Sequence, residues 1–149
     1  MRFRVFIWCF LALALSGHAA SAGSVLIKPA EAALPPAPAA ANLALATRGI
    51  TRRPNVILVS PKASVSSPFD LDFNFRAHGG STIKPDSFHL VYLKKPTVDL
   101  TARVKPFVTA KGVKMEGAEA PPGRHAIKVT IADSAGRKGS AIFVLNVLK

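Results

Sequence analysis

Apolar and polar residues alternate strictly along residues 69–76. Every odd position from Phe69 to Phe75 is apolar, and every even position from Asp70 to Arg76 is polar or charged. Because successive side chains of a β-strand point to opposite faces of the sheet, a period of two predicts a strand with one buried face and one solvated face. Shorter alternations at residues 113–116 and 127–131 predict two more strands.

Three further runs have the composition of strands rather than their alternation. Residues 56–59 and 141–147 are apolar on both faces, as strands at the centre of a sheet can be. Residues 88–93 are rich in β-branched and aromatic side chains, which also favours a strand.

Turn-forming residues separate these runs, and one of them predicts a hairpin. The turn signals lie at residues 78–81, 84–86, 121–123 and 133–137. The last of them joins two runs of similar length, as a hairpin loop does. Between the turn signals at residues 84–86 and 121–123, the apolar residues Leu100, Val104 and Phe107 have helical spacing. Asp99 is placed as the N-cap of this predicted helical turn, and Pro106 ends it. Six or seven short strands with one helical turn predict an all-β, two-sheet sandwich over residues 50–149.

The first 22 residues have a different pattern. Arg2 and Arg4 precede an apolar run over residues 5–15, and an A-x-A sequence ends at Ala22. These three features predict a secretory signal peptide over residues 1–22, removed after Ala22. The apolar run is shorter than the ~20 residues that span a membrane, although an uncleaved anchor is the alternative. No second run of spanning length follows, so we expect an exported, periplasmic protein without a transmembrane segment.

Residues 23–49 are predicted to be a linker. Proline and alanine dominate residues 29–41; alanine offers little area to bury, and proline cannot donate a backbone hydrogen bond. We therefore expect a semi-extended, exposed spacer, with a docking peptide as the alternative.

Charge and cysteine content narrow the chemistry. The chain has 20 Lys and Arg residues against 8 Asp and Glu residues, which gives a net charge of +12 and favours anionic partners. Its single cysteine, Cys9, lies in the predicted signal peptide. The mature chain therefore offers neither a disulfide nor a thiolate metal site nor a cysteine nucleophile.

Five stretches of the domain carry a resemblance to a known family. Residues 54–61, 67–73 and 83–88 look like bacterial immunoglobulin-like domains of exported proteins, and residues 122–129 and 133–137 are similar to their last hairpin. The resemblance implies an immunoglobulin-like sandwich of about seven strands from the disulfide-free relatives, since the Cys and Trp core of antibody domains is absent. Such domains serve as spacers, adhesion modules and accessory domains, so the resemblance implies a fold and a compartment more than an activity.

The histidines of the mature chain are the candidate metal ligands. His78, His89 and His125 form neither an H-x-H motif nor a helical i, i+4 pair, and Met115 is the only mature methionine. This density of ligands is poor for copper or zinc, and we predict no metal site and no cofactor. A periplasmic copper carrier of sandwich fold that uses these histidines is the alternative function.

Catalytic motifs are also weak. The chain has no G-x-S-x-G nucleophile elbow. Asp70 and Asp72 share one face of a strand, as paired glycosidase carboxylates could, but an exposed strand face more simply explains them. We predict that the protein is not an enzyme and has no catalytic residues.

Paired cations are the remaining candidates for a functional site. The basic residues that we predict to contribute to a binding surface are Arg52, Arg53, Lys94, Lys95, Arg137 and Lys138. The aromatic residues fall mostly on core-facing positions, and export removes the usual nucleic-acid partners, so nucleic acid is not expected. The sequence predicts a non-catalytic binding or accessory module whose basic surface meets an envelope component or an acidic protein. The alternative is that these cations serve solubility and protect strand edges.

Overall fold

The computed structural model describes residues 23–38 and 52–149. The predicted signal peptide and residues 39–51 of the predicted linker lie outside the described residues. The elements are β1 (Ser24–Val25), α1 (Pro29–Ala32), β2 (Asn55–Ser60), β3 (Val65–Ser66), β4 (Phe69–Arg76), β5 (Ile83–Tyr92), β6 (Val98–Asp99), α2 (Thr101–Val104), a 3₁₀ turn (Lys105–Phe107), β7 (Gly112–Glu119), β8 (Gly123–Asp133) and β9 (Lys138–Leu148).

The strands form two sheets, with the orders β1-β7-β4-β2 and β3-β9-β8-β5-β6. The predicted all-β, two-sheet sandwich is therefore confirmed. Consecutive strands β2 and β3 join opposite sheets: β2 pairs antiparallel with β4, and β3 pairs parallel with β9. The described residues contain nine strands rather than about seven. The difference arises because β1, β3 and β6 have two residues each, too few to carry a periodic signal.

The core lies between the sheets and is built from the alternating positions that the sequence predicts. Phe69, Leu71, Phe73 and Phe75 of β4 are buried, whereas Asp70 and the other even positions face outward or lie half-buried. The ring of Phe73 packs against that of Phe143 on the opposite sheet, with 5.3 Å between centroids. The odd positions of β4 thus face the core, and the even positions face away from it.

The predicted helical turn is also present. Thr101–Val104 forms one turn of α-helix, and a 3₁₀ turn containing Pro106 follows it. Asp99 Oδ1 accepts a hydrogen bond of 2.8 Å from the backbone N–H of Thr101. Hydrogen bonds from the Thr101 side chain and backbone lower the pKa of Asp99. The side chain of Asp99 therefore supports the start of this turn, although the N-cap position is Leu100, one residue later than the sequence predicts.

The N-terminal segment differs from the exposed linker that its composition predicts. Leu26 and Ile27 are 0% and 1% exposed and belong to the hydrophobic core. β1 pairs with β7, and Pro36 forms an isolated bridge with Lys94. Residues 24–36 are therefore part of the domain, because two apolar side chains just before the Pro/Ala stretch anchor it. Burial of each stabilises the fold by about 1.5–3 kcal/mol.

Candidate binding surface

Six strands begin or end at one end of the sandwich, which we call the Arg76 end. β4 terminates there at Arg76, opposite the first residue of β2, Asn55. β5 begins at Ile83 opposite Asp133, the last residue of β8, and Lys138 begins β9 opposite Ala132. Gly112 begins β7 opposite Asn74. The β4–β5 and β8–β9 connections and the residues that precede β2 and β7 therefore contribute to one surface.

Cations collect on this surface. Its basic residues are Arg52, Arg53, Arg76, Lys84, Lys111, Arg137 and Lys138. All of them are exposed except Arg137, which is half-buried. Arg52 and Arg53 join the group because the next residue, Pro54, touches β9: a Cβ at Gly139 would overlap the carbonyl oxygen of Pro54.

Carboxylates do not balance these cations. Asp133 is fully buried, and its Oδ2 accepts a hydrogen bond of 2.8 Å from Arg137 Nε. Burial opposes ionisation of Asp133, but hydrogen bonds from the Arg137 backbone and side chain and from Ser81 outweigh it and lower its pKa. The exposed carboxylate nearest to this end is Asp86, on the bulged part of β5 beside Lys84. Among the described residues, no ion pair engages Arg76 or Lys111.

An open cleft of about 480 Å³ lies at the same end. Arg76 and Lys111 contribute to its lining together with the polar residues Asn74 and Thr82. Ile57, which is 45% exposed, adds an apolar wall. The cleft can therefore receive an anionic group between two cations, with hydrogen-bond donors beside them.

The predicted cations divide between the two ends of the sandwich. Arg52, Arg53, Arg137 and Lys138 lie together at the Arg76 end. Lys94 and Lys95 lie at the other end, because Leu93 N–H donates to the carbonyl of Ala126 on β8. Ala132 follows Ala126 by six positions along β8, so the two groups are roughly 20 Å apart. The fold therefore does not bring all six predicted cations onto a single surface.

Lys94 and Arg137 have partners within the domain. Lys94 Nζ donates to the carbonyl oxygens of Ala32 and Leu34, each at 2.8 Å, and lies 5.3 Å from the centroid of the Tyr92 ring. Arg137 forms the ion pair with Asp133 and also donates to the backbone carbonyl of His78 at 2.9 Å. These two cations therefore hold local structure together.

Sequence reasoning missed Arg76, Lys84 and Lys111, which the fold adds to the surface. The available signal was their position at strand ends. Arg76 closes the alternating run of β4, Lys84 follows a short connection, and Lys111 directly precedes β7. Since a short connection between antiparallel strands keeps its flanking residues at one end of a sandwich, Arg76 and Lys84 could have been placed together.

The histidines lie apart. His78 is in the loop at the Arg76 end, His89 is exposed on β5, and His125 is buried toward the opposite end. His125 is engaged by the Tyr92 hydroxyl at 2.8 Å and by the carbonyl of Pro121 at 2.7 Å. Across residues 23–38 and 52–149, no three His, Cys, Asp or Glu side chains are placed to share a metal ion. This arrangement gives the copper-carrier alternative no support.

A serine, a histidine and an aspartate do meet at the Arg76 end, but not in catalytic geometry. Ser81 Oγ lies 2.8 Å from the backbone carbonyl oxygen of His78 and 3.1 Å from Asp133 Oδ2. Arg137 donates to the same hydroxyl at 2.9 Å. In this part of the structure, the buried Nε2 of His78 has no hydrogen-bond partner. A nucleophile needs a base within hydrogen-bond reach, and the imidazole does not supply one to Ser81. The cluster braces the loop.

Comparison with other proteins adds no family to this description. No protein family, curated protein or solved structure matches the chain. Within the described residues, none of the helices has the length and apolar character needed to cross a bilayer. The class that the fold defines is an all-β, two-sheet sandwich with a cationic end.

Proposed function

We propose that the chain is an exported, non-catalytic binding or accessory module that acts in the periplasm. Its Arg76 end binds an anionic component of the cell envelope or an acidic protein partner. The observation that carries this proposal is the convergence on one surface of cations from the ends of β2, β4, β5, β7 and β9, where the paired carboxylate, Asp133, is buried.

The physical reason is the sum of the charges. Cations gathered on one surface raise the local positive potential, which concentrates anions and speeds their association. An anionic group attracted by this potential can make hydrogen bonds in the cleft that Arg76 and Lys111 line. The strand order β7-β4-β2 in one sheet and β9-β8-β5 in the other corresponds to the orders E-B-A and G-F-C of immunoglobulin sandwiches. Sandwiches of this kind present loops and strand ends to their partners.

The test is co-sedimentation of residues 23–149 with isolated cell envelopes over a series of salt concentrations. We expect binding that is strong at low ionic strength and weakens as the Debye length shrinks. The double variant Arg76→Glu/Lys111→Glu should weaken binding at low salt by ~10-fold or more. Treating the envelopes with a protease before the assay distinguishes a protein partner from lipid or glycan.

The matched control reverses two exposed cations away from this surface, Lys95→Glu/Arg124→Glu. It changes the net charge by the same amount, so it should leave most of the binding intact if the location of the charge matters. Thermal unfolding of both variants checks that the fold is retained. Binding that is independent of salt, or an equal loss in both double variants, would contradict the proposal.

A further inference from the structure

The first described residue, Gly23, lies directly beside the carboxylate of Glu119. A Cβ at position 23 would overlap Glu119 Oε1, so that oxygen occupies the place of a side chain. The Cβ position and the backbone nitrogen are both bonded to the same Cα, which places the oxygen within about 4.5 Å of the Gly23 nitrogen. Within the described part of the chain, Glu119 takes part in no ion pair.

The register of β1 on β7 holds this arrangement. Ser24 pairs with Ala118 and Val25 with Glu119, and the backbone N–H groups of Leu26 and Ile27 both donate to the carbonyl of Glu119. Gly117, on the same strand, comes so close that a Cβ there would contact the Cα of Gly23 at 3.9 Å. The pairing of β1 with β7 therefore holds Gly23 beside Glu119.

We propose that Glu119 is the receptor for a new amino terminus, created by hydrolysis of the peptide bond between Ala22 and Gly23. Hydrolysis consumes one water molecule, leaves the carboxylate on Ala22 and gives Gly23 an α-ammonium group in place of a neutral amide. That ammonium then pairs with Glu119. The proposal rests on the export proposed above, because the predicted signal peptide ends at Ala22.

Pairing of this kind stabilises the docked N-terminal segment. Docking of this segment pairs β1 with β7 and buries the side chains of Leu26 and Ile27 in the core. A charge-assisted contact at its first residue opposes fraying, which otherwise begins at a chain terminus. Removal of the leader would thus add an ionic contact that the uncleaved chain, which lacks the cation, does not make.

Two other carboxylates lie near this site and serve as comparisons. Asp70 Oδ1 accepts a hydrogen bond of 3.2 Å from the N–H of Gly117, so it already has a partner. Glu116 is exposed on β7, three residues before Glu119. A specific receptor at Glu119 predicts that Glu116→Gln has no effect on the same measurement.

The experiment is a double-mutant cycle on thermal stability. Each background is prepared as two proteins with different first residues. The first protein begins at Gly23, after cleavage by a protease that leaves glycine as the first residue. The second begins at Ala19, so its α-ammonium group lies four residues before Gly23. We expect the extension to lower Tm by about 2–4 °C in the unmodified and Glu116→Gln backgrounds. In the Glu119→Gln background the extension should change Tm by less than ~1 °C.

Each outcome decides one question. An equal effect of the extension in all three backgrounds would overturn the role of Glu119, because it would show a steric rather than an ionic cause. N-terminal sequencing of the protein recovered from a producing cell should give Gly23 first. A first residue elsewhere in the exported protein would overturn the receptor, whereas a chain that is never exported would overturn the proposed function itself.

Discussion

The Tyr92 hydroxyl and His125 Nδ1 are joined by a buried hydrogen bond of 2.8 Å. His125 Nε2 lies 2.7 Å from the carbonyl oxygen of Pro121, which can only accept, so Nε2 carries the proton and Nδ1 accepts from the hydroxyl. Burial, assisted by Glu31, raises the pKa of Tyr92 to about 12, which keeps the hydroxyl protonated as a donor. This pair fixes neutral His125 beneath the end of the domain where the N-terminal segment is anchored.

Neutral His125 predicts a loss of stability in mild acid. Burial lowers its pKa, the Pro121 carbonyl partly opposes that shift, and the nearby Lys94 cation reinforces it. The unfolded chain therefore takes up a proton near pH 6.5, at which folded His125 remains neutral, so the free energy of unfolding falls as pH drops below 6.5. Urea unfolding at pH 7.5 and pH 5.5 measures this loss. It should be smaller in His125→Gln, and an unchanged loss would contradict the assignment.

The docked N-terminal segment predicts that Leu26→Ala is strongly destabilising. Leu26 is fully buried, and truncation of such a side chain costs about 2–5 kcal/mol because it leaves a cavity. Val25 is the matched control, since it is adjacent and 44% exposed, and Val25→Ala should change the free energy of unfolding by less than ~0.5 kcal/mol. Chemical denaturation compares the two. Equal, small effects would mean that the segment behaves as a linker.

The ion pair between Glu31 and Arg103 predicts a second loss of stability at lower pH. The Arg103 guanidinium makes two hydrogen bonds to the Glu31 carboxylate, one of them 2.7 Å long, and donates to the Leu26 carbonyl at 2.8 Å. Chiefly through the Arg103 hydrogen bonds, the pKa of Glu31 falls from 4.5 to about 2. Because the folded value is the lower one, this stabilisation is complete above pH 4.5 and disappears as pH falls toward 2.

The variant Glu31→Gln tests this ion pair. At pH 7 it should lower the free energy of unfolding by about 1–2 kcal/mol, since it removes a charge-assisted, partly buried pair. The exposed Glu116→Gln is the control and should have little effect. If the two variants lose stability equally between pH 5 and pH 3, the pair is not the cause of the acid sensitivity.

Gly112 predicts a steric effect on the sheet that carries the cleft. A Cβ at this position would overlap the carbonyl oxygen of Phe73, so β7 approaches β4 closely only with glycine there. We expect Gly112→Ala to cost about 1–3 kcal/mol, as overpacking does. Lys114→Ala, exposed on the same strand, should be nearly neutral. Thermal unfolding distinguishes them, and a neutral Gly112→Ala would show that the strands can separate without cost.

Local pattern determined the central part of the fold. The alternation from Phe69 to Arg76 predicted β4 with its buried odd positions, and the spacing of Leu100, Val104 and Phe107 predicted the helical turn, both of which the structure contains. These elements could be predicted because side-chain periodicity depends only on neighbouring residues and on which face is buried. The two-sheet architecture followed, since several such strands can bury their apolar faces only against one another.

Only the tertiary structure decided which cations share a surface and which segments belong to the core. Arg52 and Lys111 share the Arg76 end, and Lys94 is separated from Lys138, through strand pairings between residues distant in sequence. Lys94 finds its partners at Ala32 and Leu34, about 60 positions earlier, in a stretch whose composition alone indicated a linker. Sequence determines local period and charge, whereas sheet order and register determine which distant groups meet, because they depend on the packing of the whole chain.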